Sequence, residues 1–300
     1  MRRVTEWLMP PVPLGRVAAL RTCVYLFVIA DITIFTGWVR NRTAVPPELY
    51  EPLRIGRILP LPAPTAAVVT TVFWVLLVSA LVAATGRAPR LLGWTVAALY
   101  LEWLVIVFSY GKVDHDRFAL LVALLTLPTV GRARHGDSTR SVRGGWSLRV
   151  TQLAVVATYF LAAWAKLRYG GIGWLTGATL TRAVVRRGAE WTELLTDVPG
   201  LLIAAQFGIV AFELASPLVF VLRKRARYVA ISGFYLFHLV TFAAISISFL
   251  PHQVAMLSFL PIERVRPVRW LRRRVAGGRV RSGQRDAAPE PDPAPSPLGS

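Results

Sequence analysis

The chain has 300 residues, 54% of them hydrophobic and only 17% charged, against about a quarter charged in an ordinary soluble domain. The apolar residues fall in runs of about 18–24, long enough to cross a bilayer, so the composition excludes a typical soluble enzyme or binding module. The formal net charge of +19 comes from 32 Arg and three Lys. These sit mainly between the apolar runs and in the tail, which speaks for a basic cytoplasmic side and against nucleic acid as a partner.

In chain order, residues 1–16 are expected to form a cytoplasmic N-terminal segment, 17–262 a transmembrane domain and 263–300 a basic, then disordered, cytoplasmic tail. The run that begins near Val17 has no small-residue cleavage site, so it is expected to be the first span and not a signal peptide. Seven runs are clear: 17–39, 66–85, 91–110, 114–130, 148–167, 199–222 and 228–250. An eighth, 252–262, is short enough to be a half-span. Placing Arg2, Arg3 and Arg16 in the cytoplasm puts the loops holding Arg87 and Arg90, Arg132 to Arg143, and Arg223 to Arg227 on the same side. The basic tail belongs there too, which requires an even number of spans. The fold class is therefore expected to be all-α, a polytopic transmembrane helix bundle of about eight spans with both termini cytoplasmic.

Between the fifth and sixth runs, residues 174–195 mix apolar positions at near-helical spacing with Arg and Glu. They suit a helix on the outer membrane surface, or one packed on the bundle. From Gly277 onward Ala, Pro, Asp and Ser dominate, the composition of a disordered segment. The one cysteine, Cys23, excludes an intrachain disulfide and any cysteine metal cluster.

Ionisable groups in spans are costly and mark functional candidates or helix–helix pairs. Asp31, Glu102, Glu213 and His238 lie well inside their runs, and Arg21 lies near the inner end of the first, where it could snorkel. His115, in GKVDHDRFALL, opens the fourth run, and Lys166, in YFLAAWAKLRYG, closes the fifth. On this orientation the two meet at one depth on the outer side. Lysine can lose its proton when desolvated and arginine cannot, so Lys166 in so arginine-rich a chain suits a base. The alternative is a snorkelling lysine and a helix-capping histidine. His252 could join His115 at a metal, but HxxxH and HExxH spacings are absent and no metal is expected. No Walker A, GxGxxG or GxSxG motif occurs. Gly173 and Gly177 form a GxxxG outside the apolar runs, expected to be a turn.

From Arg21 to Pro261 the chain resembles the horizontally transferred transmembrane domain family and the membrane part of vitamin K-dependent γ-glutamyl carboxylases. The likeness lies in the Arg21 and Asp31 spacing, DHDRFALL, YFLAAWAKL followed by Trp174 and Gly177, AFELASPLVF, and GFYLFHLVTFAAISISFLP. The resemblance implies Lys166 as the base that deprotonates a reduced quinone, vitamin K hydroquinone or menaquinol, with His115 assisting on the outer side. His238, Glu213 and Asp114 are then candidates for binding that cofactor. Asp114 stands where the carboxylases carry Asn, and their lumenal substrate-recognition domain has no counterpart here, so the expected substrate is a small peptide or small molecule. The expected function is quinol-linked oxygenation or carboxylation in a bacterial cytoplasmic membrane. A non-catalytic membrane maturation or interaction factor, or less readily a small transporter along Asp31, Glu102, Glu213 and His238, are the alternatives. No internal repeat supports the transporter.

Overall fold

A computed structural model of the chain describes residues 2–265. Its helices are α1 (Arg2–Leu8), α2 (Leu14–Ala30), α3 (Arg54–Ile58), α4 (Ala66–Ala84), α5 (Leu91–Ser109) and α6 (Phe118–Val130). They continue with α7 (Val142–Thr176), α8 (Thr179–Arg187), α9 (Glu190–Glu193), α10 (Pro199–Ala215), α11 (Lys224–Ile245) and α12 (Leu250–Met256). The strands among the described residues are the two-residue β1 (Val12–Pro13) and β2 (Arg140–Ser141), paired antiparallel. The fold is all-α. The expectations for the tail beyond Val265 lie outside the described residues.

Six helical stretches are long and apolar enough to cross a bilayer: Leu14–Phe35, Ala66–Ala84, Leu91–Ser109, Val142–Thr176, Pro199–Phe220 and Lys224–Ile245. They carry six of the seven clear runs. The remaining one, at 114–130, is helical only from Phe118, and its 13 residues extend roughly 20 Å, less than a bilayer core of about 30 Å. Protein surrounds this short helix: α6 packs on α7, α5, α2 and α12, and eight of its residues are buried. The short eighth run becomes α12 and a 3-10 turn, Leu257–Phe259, set against α6, α7 and α2.

The fifth run is longer than its apolar content suggests, because α7 begins before Arg143 and Arg149. Ser141 caps it, its hydroxyl accepting from the Gly144 N–H at 3.1 Å. Near its other end Gly171 takes φ +58°, a left-handed conformation that breaks the helical path.

Backbone contacts tie one end of the bundle together: the N–H groups of Leu14 and Gly15 donate to the carbonyls of Thr139 and Asp137 at 2.9 and 2.8 Å. At this end Arg21 departs from expectation. It does not snorkel to water; it is 1% exposed and its Nη2 donates to the carbonyls of Gly131 at 2.8 Å and Leu127 at 3.4 Å. The reason is that α2 starts at Leu14, which carries Arg21 two turns inside, where it meets the negative C-terminal end of α6.

The opposite end is fastened by Asp31, which has no exposed surface. Its carboxylate accepts from Arg117 Nη2 at 2.9 Å, Arg117 Nε at 3.4 Å and the Tyr100 hydroxyl at 2.9 Å. Asp31 opens a π-helical turn, Asp31–Phe35, and its carbonyl accepts from the Thr36 N–H and hydroxyl at 2.7 and 2.8 Å. Thr36 Oγ1 in turn accepts from Trp103 Nε1 at 2.8 Å. One carboxylate thus joins the end of α2, the face of α5 and the turn that starts α6. Asp31→Ala leaves the Arg117 guanidinium with Asp116 alone, at 3.4 Å, and should cost up to about 3 kcal/mol, read as a lower Tm in detergent. Equal Tm values for wild type and Asp31→Ala would show that the pair fastens nothing.

Candidate functional site

Beside this fastening point, the turn His115–Arg117 carries His115 two residues from the paired Arg117. Lys166 projects from α7 toward α10. Its Nζ donates to both carboxylate oxygens of Glu213, at 2.5 and 2.6 Å, and stands 5.3 Å from the Trp174 ring centroid. Glu213 keeps 6% side-chain exposure and Lys166 22%, so the acid is the more enclosed of the two. Burial first, and then the charge of Lys166, lower the His115 pKa. Glu213 is the direct partner of Lys166.

Glu213 and Gln206 are two turns apart on the buried side of α10, with Val210 between them. Gln206, 1% exposed, accepts from the Leu180 N–H at 2.6 Å and donates to the carbonyls of Leu175 at 2.6 Å and Gly177 at 3.0 Å. It pins the segment after the Gly171 break, and so sets Trp174 over Lys166. Gly177 ends that segment with its N–H on the Gly173 carbonyl at 2.9 Å, so the GxxxG is a helix end. The 174–195 stretch is split into α8 and α9, and α8 packs on α10 and α11. The sequence reading missed Gln206, although an amide inside an apolar run is a signal of the same kind as a carboxylate.

Two turns back along α7 from Lys166, Tyr159 lies at the centre of an aromatic and histidine cluster. Its hydroxyl is hydrogen-bonded to His238 Nε2 at 2.6 Å, and its ring stacks on Phe234 at 4.9 Å and meets His252 edge-on at 4.9 Å. His238 stands 5.3 Å from His252 and 4.9 Å from Phe249, and Phe249 is 6.2 Å from His115. Three of the chain's four histidines are thereby gathered by α7, α11, α12 and the turn before α6. Both ring nitrogens of His252 and Nδ1 of His238 are buried without a hydrogen-bond partner. No group of three or more metal-ligating side chains occurs among the described residues.

The remaining candidates fall elsewhere. Asp114 pairs with Lys112 at 3.2 Å on an exposed edge. Asp31 belongs to the structural fastening. Glu102 is buried on α5, with Oε1 unpartnered. The chain matches no family model, no curated protein and no solved structure, so the site is read from its own geometry. Tyr159→Phe removes the one hydrogen bond of a buried imidazole and should lower stability by about 1–3 kcal/mol. The check is Tm in detergent; an unchanged value would show that the cluster is held by packing alone.

Proposed function

We propose that the protein is a membrane-embedded, quinol-linked enzyme in which Lys166 is the base and Glu213 and His115 are its partners. The observation that carries this reading is the Lys166–Glu213 pair: an amine and a carboxylate at hydrogen-bond distance, more enclosed on the acid side than on the amine side, and flanked by Trp174. The order of motifs shared with γ-glutamyl carboxylases supports the same assignment.

The surroundings suit a reduced quinone. Aromatic rings supply flat apolar walls. The rings of Tyr159, Phe212, Phe234, Phe237 and His238 touch one another at centroid distances of 4.9–6.3 Å, so the ligand belongs beside the cluster, on the Lys166 and Trp174 side. A bound quinol supplies a weakly acidic phenol and two electrons. The phenol of a quinol is a weak acid of the kind an amine base deprotonates. Proton exchange between Lys166 and Glu213 interconverts ammonium–carboxylate with amine–carboxylic acid, and neither form has net charge. The second form presents the amine as a base while Glu213 holds the proton. His115 accepts or donates at the edge, and the aromatic walls keep water out. The substrate class that follows is a small peptide or small molecule, oxygenated or carboxylated on the outer side of a bacterial cytoplasmic membrane.

We further assign the basic end of the bundle to the cytoplasm, with α6 as a shortened pass and α12 as a returning half-pass, giving about eight passes and both termini inside. A second reading is a non-catalytic membrane factor. It is favoured by the same ion pair, which clamps α7 to α10 and could serve packing alone.

Lys166→Arg separates the two readings, because arginine keeps the ion pair but cannot become a base. In lipid nanodiscs with menaquinol and oxygen, wild type should convert the quinol to an oxygenated product. Lys166→Arg should lose about 100-fold or more while retaining its Tm, and Glu213→Gln should fall as well. Product formation equal in wild type and Lys166→Arg would contradict the enzyme reading.

A further inference from the structure

The opposite, basic end of the bundle holds a cavity of about 230 Å³ that the quinol reading does not use. Four cations line it: Arg16 from the first turn of α2, Arg149 from α7, and Lys224 and Arg227 from the first turn of α11. None of its lining residues is Asp or Glu. Like charges gathered in this way repel, and Arg149 and Arg227 act on each other directly. Arg149, Arg227 and Lys224 converging on one cavity form a site of the kind an anion fills.

The cations are set in place. Arg149 Nε donates to the Trp7 carbonyl at 3.1 Å, and its guanidinium lies 4.6 Å from the Trp7 ring and 5.5 Å from the Phe220 ring. Arg227 Nη2 donates to the Leu222 carbonyl at 3.2 Å, which leaves its buried Nε without a partner. Gly145 also lines the cavity, and a Cβ there would collide with the Pro10 carbonyl, so the chain before α2 can approach α7 only over a glycine. Beside the cations stand Gln152, a polar donor, and apolar Leu148 and Phe259. At roughly 30 Å³ per water molecule, the space accommodates a phosphate together with the atoms bonded to it.

We propose that this cavity is a binding site for a phosphate ester, engaged by the Arg149 and Arg227 guanidinium groups and by Lys224, with the attached organic group against Leu148 and Phe259. Paired guanidinium forks match phosphate oxygens, and basic pockets between membrane helices hold anionic head groups. The same chemistry is met by a phospholipid head group reaching in from the bilayer or by a soluble phosphorylated compound.

The test is thermal unfolding of the full chain in nanodiscs at constant ionic strength. One arm compares phosphatidylcholine with phosphatidylglycerol; the other adds glycerol 3-phosphate to phosphatidylcholine discs, with matched sulfate as the control. A bound phosphate ester should raise Tm by about 4 °C or more at saturation. A rise with phosphatidylglycerol alone identifies a lipid, and a rise with glycerol 3-phosphate beyond that with sulfate identifies a soluble ester. Lys224→Gln/Arg227→Gln should abolish the rise, whereas Arg225→Gln, which removes a neighbouring charge outside the cavity lining, should keep it. If the double variant does not fold, Arg149→Gln takes its place. No rise in either arm, or a rise that survives loss of the lining cations but not of Arg225, would overturn the proposal.

Discussion

A charge inside a low-dielectric bundle must find its opposite, and the Asp31–Arg117 pair is where that requirement organises this molecule. Asp31 has no exposed surface, and its carboxylate is satisfied by Arg117 and Tyr100 from two other helical regions. Breaking such a pair strands a charge, which is far costlier than the pair's net worth. The consequence reaches beyond stability. Arg117 closes the turn that carries His115, so the same contact that joins α2, α5 and α6 also sets the position of that imidazole. Arg21 does a related job at the other end of α6 by capping its carbonyls. A helix too short to cross a bilayer unaided is thus held by arginine chemistry at both ends.

The second ion pair, Lys166–Glu213, obeys the same rule with a different outcome. Arg117 is an arginine and cannot give up its proton; Lys166 is a lysine and can. Its carboxylate partner is the more enclosed of the two, and Gln206 fixes the segment that places Trp174 against the lysine. The two pairs therefore differ in kind: the cation of one is an arginine, fixed in charge, and that of the other is a lysine. The Tyr159 cluster lies two turns along the same helix from the second pair, not from the first.

Much of this was legible in the sequence. Runs of apolar residues located the membrane-type helices, and the rare ionisable residues inside them marked Asp31, Glu213 and His238 as places where something is paired. The partners themselves were not legible. Helices apolar on nearly all faces carry no periodicity that tells which side meets which neighbour, so neither Arg117 with Asp31 nor Lys166 with Glu213 could be read from spacing. Arg117 was passed over because it lies in the polar DHDR stretch that opens the 114–130 run. The early turns of α7 were hidden because Arg143 looks like a loop residue, though Ser141 caps a helix there. The fourth run looked like a full span because hydropathy does not distinguish a helix surrounded by lipid from a shorter one surrounded by protein.

The central claim is that the Lys166–Glu213 pair and the histidine-aromatic cluster form one site for a quinol. The most direct measurement is an experimental structure of the full chain in a lipid nanodisc with menaquinone added. The account predicts the quinone ring against Trp174, with one oxygen within hydrogen-bond reach of Lys166 and the ring edge toward His115. A quinone ring seated elsewhere in the bundle, with only acyl chains beside Lys166, would contradict it.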